Sequence, residues 1–200
     1  MRIGVLGGTF DPIHVGHLVA AEQVAWALAL DRVLFVPAGT PPHKAGGAAA
    51  GAVDRVRMVE LAIAGNPLFE LSLVDVNRPG RSYTVDTLRV LRMELGESTE
   101  LHFIVGMDSL GDLAGWKDPV GLIAQCRLAV VNRPPYPEPN LARMEEQVPG
   151  ISERVDMVNM PGIALSSSDL RRMVASGAPI RYLVPDAVEQ YIIDRGLYRP

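Results

Sequence analysis

The sequence predicts an α/β fold, a doubly wound, mostly parallel sheet with helices on both faces, and three observations predict it. Short apolar runs recur along the chain, segments with apolar residues three and four apart follow them, and Gly or Pro separates the two. Strands of a parallel sheet are buried on both faces and read as continuous apolar runs, and their alternation with helices is the signature of such sheets.

Ile3 to Leu6 is the first such run, ended by Gly7-Gly8. Leu18, Ala21, Val24, Ala25 and Leu28 follow and share one helix face. Val33 to Val36, stopped by Pro37, predicts a second strand, and Val56, Met58, Leu61 and Ile63 a second helix. Further strands are expected at Leu71 to Val76, Leu101 to Val105, Leu128 to Val131 and Val155 to Val158. Helices are expected from Val85 to Leu95 and Asp169 to Val174, and a last one through Pro185, Val188, Tyr191 and Ile192 closes the core. The result is Rossmann-like. Such sheets bind ligands beyond the carboxyl ends of their strands, which gathers Gly7 to His17, Pro37 to Lys44 and Gly106 to Trp116 at one rim. Residues 45–53 are Gly and Ala for the most part, without a cap or a large apolar anchor, so a mobile loop is expected there. Pro134 to Pro139 reads as an exposed connection.

A chain of 200 residues suits one domain, 1–200. Hydrophobic residues at 48% and charged residues at 21% indicate a filled globular core. A net charge of −4 argues against a nucleic-acid partner, which needs a broad basic face, but a phosphate-bearing small molecule needs only a local cluster. Cys126, the one cysteine, excludes an intramolecular disulfide and a zinc site built on thiolates, and reads as a small buried hydrophobe. No apolar run is long enough for a signal peptide or a membrane span, so a soluble cytoplasmic protein with no membrane partner is expected. Oligomeric state is left open, a homo-oligomer included.

Gly7-Gly8-Thr9-Phe10-Asp11-Pro12-Ile13-His14-Val15-Gly16-His17 is the most informative segment. It lacks the GxGxxG fingerprint, and no GK[ST] of a Walker loop occurs in the chain. What remains is a Gly turn that lets backbone N–H groups approach an anion, then two imidazoles three residues apart where a helix presents its positive end. That arrangement suits phosphoryl chemistry without an enzyme nucleophile, in which placed donors stabilise charge developing on phosphate oxygens. An isolated His pair more often caps a helix and fills a gap. Metal ligation needs a further convergent ligand that no HExxH or Cys cluster supplies, so no protein-held metal is expected. Ser167 and Ser168 are read as opening a helix, capping it and offering hydroxyls to an anion, with Arg171 one turn on as a planar donor fork.

These residues resemble the nucleotidyltransferase superfamily with the HxGH signature, in the form GGTFDPIHxGH found in bacterial nicotinate mononucleotide adenylyltransferases. Other segments agree: Pro41-Pro42-His43-Lys44 with PPHK, Ser82 to Leu88 with SYTxDTL, Gly106 to Leu110 and Trp116 with GxDSL and its Trp, and Ser166 to Arg171 with ISSTxIR. The resemblance implies adenylyl transfer from ATP to nicotinate mononucleotide. It implies catalytic roles for His14, His17 and Arg171, with Ser167 and Arg171 on the β and γ phosphates. Gly7, Gly8, Thr9, Phe10, Lys44, Gly106, Asp108 and Ser168 are implied around ATP, and Thr40, Tyr83, Thr84, Trp116 and Arg133 around the mononucleotide. Mg²⁺ is expected to arrive with the ATP phosphates. Ser168 stands where the family has Thr and Asp54 where relatives often carry His, and no role is carried over between Ala45 and Arg57. Nicotinamide mononucleotide is the rival acceptor. Pantetheine-phosphate adenylyltransferases and cytidylyltransferases are the other enzymes of the superfamily, and a nucleotide-binding module without catalysis is the reading from another class.

Overall fold

The computed structural model describes residues 1–41, 48–132 and 140–199. Six strands, β1 (Arg2–Gly8), β2 (Arg32–Pro37), β3 (Phe69–Leu71), β4 (Glu100–Gly106), β5 (Arg127–Asn132) and β6 (Val155–Asn159), form one sheet in the order β3-β2-β1-β4-β5-β6. Every pairing is parallel. The helices are α1 (Val15–Ala27), α2 (Ala52–Ile63), α3 (Val74–Asn77), α4 (Thr84–Leu95), α5 (Met107–Gly111), α6 (Pro119–Ile123), α7 (Leu141–Gln147), α8 (Ser167–Ala175) and α9 (Asp186–Asp194). Among the described residues no helix is long and apolar enough to cross a membrane.

The period of two along each strand separates the core into two layers. Leu6, Val33, Phe35, Ile104 and Val131 face α1, α2, α8 and α9, while Val5, Leu34, Val36, Phe103, Val105 and Val130 face α4, α5 and α6. The doubly wound, Rossmann-like expectation holds. Each fully buried Leu, Ile or Phe contributes roughly 1.5–3 kcal/mol, which is what holds two helix layers to a sheet with no polar face. Cys126 lies in the second layer, and burial pushes its thiol pKa up to about 12.

One expectation is corrected. The run Leu71 to Val76 is not a strand: β3 stops at Leu71, and α3 begins at Val74. An apolar run of this length fits a strand or a helical turn equally, and tertiary bonds decide it. The Ser72 N–H donates to the Phe35 carbonyl at 2.9 Å, and the chain then turns to bury Asp75, whose carboxylate accepts from the Thr87 hydroxyl at 2.7 Å and from Arg78 at 2.9 Å. In the tract 45–53, residues 45–47 lie outside the described residues, and the rest is tied down. The N–H groups of Ala49 and Ala50 donate to the Asp11 carboxylate at 2.8 and 3.0 Å, and α2 begins at Ala52. The anchor comes from another part of the chain, so no local signal announced it. The connection Pro134 to Pro139 also lies outside the described residues. Helix α6 went unread, although Asp118 caps it and Pro119 takes the first helical position, the usual site for proline.

Candidate active site

Strands β2 and β3 lie on one side of β1 and β4 to β6 on the other, so the strand order reverses between β1 and β4. Helices there run to opposite faces and leave a crevice at the carboxyl ends. That crevice holds two cavities, of about 330 and 350 Å³, which share Gly7, Phe103, Ser109 and Trp116. Tyr83, Thr84, Ser82 and Lys117 line one lobe, and His14, His17, Gly106, Asp108 and Ser167 line the other.

His14 is the N-cap of α1, its backbone extended at φ −146°, and His17 stands one turn in. The His14 N–H donates to His17 Nδ1 at 3.2 Å, which is the return half of a capping box with an imidazole in the place of Glu or Gln. The two rings stack with centroids 3.7 Å apart and planes 27° from parallel. The capping role is therefore real, yet the stack also sets both rings in the wall of one lobe, at the positive end of the α1 dipole.

The turn between β1 and α1 is held from behind. Arg55, 1% exposed, donates to the Thr9 carbonyl at 2.8 Å and to the Gly39 carbonyl at 3.2 Å. Arg171 Nη1 donates to the Asp11 carbonyl at 2.7 Å, and the Ser167 hydroxyl to the Pro12 carbonyl at 2.9 Å. Carbonyls so engaged keep the turn in one conformation. Burial lowers the Arg55 pKa, and the Asp11 charge opposes the shift. Gly39 passes so near α3 that a Cβ there would lie 2.4 Å from the Asp75 carbonyl oxygen, and its N–H donates to Ser82 Oγ at 2.9 Å.

The other lobe has aromatic walls. Trp116 meets Phe103 edge-on at 6.1 Å, and the Lys117 ammonium sits 4.8 Å from the Tyr83 ring centre while pairing with Asp86 at 2.7 Å. Tyr83 is the N-cap of α4 and Thr84 its first residue, so the positive end of that helix also faces the crevice.

The structure thus brings together His14, His17, Gly106, Asp108 and Ser167 in one lobe and Tyr83 and Thr84 in the other, with Trp116 in the wall of both. Several placements differ from expectation. Gly8 and Thr9 line the Tyr83 lobe, and Gly7 lines both. Phe10 is 2% exposed, with its ring against Phe35 and edge-on to His17 at 5.1 Å, so its side chain supports the histidine from the core. Ser166 caps α8 by accepting from the Asp169 N–H, rather than Ser167 or Ser168, because it alone has the extended backbone of the cap position. Ser168 is exposed and accepts from Arg171 at 3.0 Å. Thr40 is exposed and bonds Ser82 through its carbonyl, while its neighbour Pro41 lines the lobe. Lys44 and Arg133 lie outside the described residues.

Sequence reasoning missed Asp11, Arg55 and Lys117. Asp11 was quoted in the motif without a role. Arg55 falls on one helix face with Met58 and Val59, three and four residues on, and a charge on an apolar face is a signal of a buried, bonded group.

The model of the cytidylyltransferase-like family matches residues 5–173. The chain is 45% identical over its whole length to a probable nicotinate-nucleotide adenylyltransferase of Moorella thermoacetica, covering 92% of that protein. It is 48% identical, over 99% of its length and 92% of the relative's, to one of Thermomicrobium roseum described in the same words. Among solved structures, the nicotinic acid mononucleotide adenylyltransferase of Plasmodium falciparum complexed with APC superposes with a TM-score of 0.79 at 18% identity, covering 98% of this chain and 96% of that one. At that identity the match speaks for the fold.

Proposed function

The chain belongs to the nicotinate-nucleotide adenylyltransferases of the cytidylyltransferase-like family, and from that membership we infer what its two-lobed crevice does. It transfers the adenylyl group of ATP to nicotinate mononucleotide, giving nicotinate adenine dinucleotide and pyrophosphate in NAD biosynthesis. A phosphate oxygen of the mononucleotide attacks the α-phosphorus, and the bond from that phosphorus to the oxygen bridging to the β-phosphate breaks as pyrophosphate leaves. The observation that carries this reading is the meeting of the two lobes at Gly7 and Trp116, with the stacked histidines in one and Tyr83 and Thr84 in the other.

Placement supports the following residue roles. ATP occupies the lobe of His14 and His17, with Gly106 and Asp108 beside the adenosine. The pyridine ring lies between Trp116 and Tyr83. His17 accepts a hydrogen bond at Nδ1, so its ring proton is on Nε2, and that donor meets the charge growing on the transferred phosphate. Arg171 uses two of its five donors on Asp11 and Ser168, and its others meet the leaving phosphates. The lobe wall offers imidazoles, hydroxyls and, among its described lining residues, the single carboxylate of Asp108, so a Mg²⁺ ion arriving with ATP would be held chiefly by the phosphates and would supply charge neutralisation there.

The test is purified protein with ATP, magnesium and each mononucleotide, followed by pyrophosphate release. Release that depends on nicotinate mononucleotide supports the reading, and ATP binding without release would replace it with a nucleotide-binding module.

A further inference from the structure

Beyond α9 the chain turns back on itself. The Gly196 N–H donates to the Ile193 carbonyl at 3.1 Å, and the Leu197 N–H to the Ile192 carbonyl at 3.0 Å. Gly196 and Tyr198 both have left-handed backbones, at φ 61° and 64°. A tyrosine holds that conformation only when its surroundings impose it. Here the Tyr198 ring packs on the first core layer, and its hydroxyl donates to Asp11 Oδ1 at 2.9 Å.

The same carboxylate accepts from Ala49 and Ala50, and Arg171 Nη1 lies 3.7 Å from it while bonding the Asp11 carbonyl. Asp11 is three residues before His14. It is therefore the point where three separate parts of the chain, the segment before α2, α8 and the segment after α9, grip the turn that carries the histidines. We propose that Tyr198 is a positioning residue for adenylyl transfer, acting through Asp11 to fix the turn that presents His14 and His17 to the reacting phosphate. This rests on the adenylyl-transfer reading above.

The physical reason is the geometry that such catalysis demands. Donors stabilise a transition state only if they are already placed where charge will develop, and a displacement of about 1 Å can cost roughly 10²-fold in rate. Burial, and then the Asp11 charge, hold the Tyr198 phenol above its ordinary pKa range, so the hydroxyl stays a donor at neutral pH. Tyr191 offers an internal comparison: it lies on α9, seven residues earlier, and its hydroxyl donates to Asp54 at 2.9 Å rather than to Asp11.

Two readouts on the full chain test this. Tyr198→Phe, which deletes one hydroxyl, should lower kcat about 5- to 10-fold and leave both substrate KM values within about twofold, because the turn's contribution lies in the transition state. Tyr191→Phe should leave kcat unchanged. Amide hydrogen exchange, read without substrates, should quicken in peptides covering residues 9–17 and 48–51 of Tyr198→Phe and not of Tyr191→Phe. A kcat for Tyr198→Phe within about twofold of wild type, or equal losses in the two variants, overturns the proposal. Unchanged exchange overturns it as well, whatever the activity. A wild type that releases no pyrophosphate would instead remove the adenylyl-transfer reading, leaving exchange to decide the tether.

Discussion

His14 and His17 are bound to each other as well as to the site: their rings stack at 3.7 Å, and the His14 backbone N–H donates to His17 Nδ1. Removing one ring leaves the other without its stacking partner, so the pair acts as a unit. His17→Ala should lower kcat about 10²-fold or more with little change in KM, the scale for loss of one placed donor. His14→Ala should do likewise, and the double variant should lose much less than the product of the two. Steady-state rates of all three check this, and a kcat within about threefold of wild type for His17→Ala would sink the catalytic role.

Nicotinate mononucleotide should be preferred over the nicotinamide form by roughly 10²-fold or more in kcat/KM. The two acceptors are nearly isosteric, so polarity must separate them. A carboxylate only accepts hydrogen bonds, whereas an amide presents two N–H donors in place of one oxygen. The positive end of α4 at Thr84 and the Lys117 ammonium both border that lobe and favour the acid. Parallel assays of the two substrates give the ratio, and a value near one would show a pocket blind to the carboxylate.

Arg55→Met should destabilise the fold by about 3 kcal/mol, because it strands the Thr9 and Gly39 carbonyls. It also takes a cation from beside Asp11. Urea unfolding measures the loss directly. A change below about 1 kcal/mol would mean that the turn holds without Arg55.

His102 predicts a loss of stability in acid. It is 0% exposed within β4, and burial lowers its pKa below the ordinary 6.5, a shift that Glu100 and Asp156 oppose and Arg2 and Arg127 assist. Below pH 6.5 the unfolded chain takes up a proton that the native state refuses, so this contribution is complete above that pH and shrinks as pH falls toward the native pKa. Urea midpoints at about pH 7.5 and 5.5 should therefore fall further in wild type than in His102→Gln. Equal slopes in the two proteins would assign the acid sensitivity elsewhere.

The sheet and most of its helices were legible in the sequence because they are written in local periodicity, as in Val33 to Val36 and Val85 to Leu95. The histidine turn was legible for a related reason: a glycine turn and two imidazoles at helical spacing are chemistry confined to a few consecutive residues. The Leu71 to Val76 run failed because its apolar residues serve an edge strand or a helical turn alike, and the bond from Ser72 to Phe35 with the burial of Asp75 chose between them. What the sequence could not order was everything joined across long separations. Tyr198 meets Asp11 across 187 positions, and Arg55 meets Thr9 across 46. Ser166 rather than Ser167 takes the cap, leaving Ser167 to bond Pro12. A side chain's type limits which partners it can accept, but only the packed chain decides which carbonyl or carboxylate stands within reach. The identity of the proposed catalytic residues was therefore legible in the sequence, and the means of holding them in place was a property of the fold.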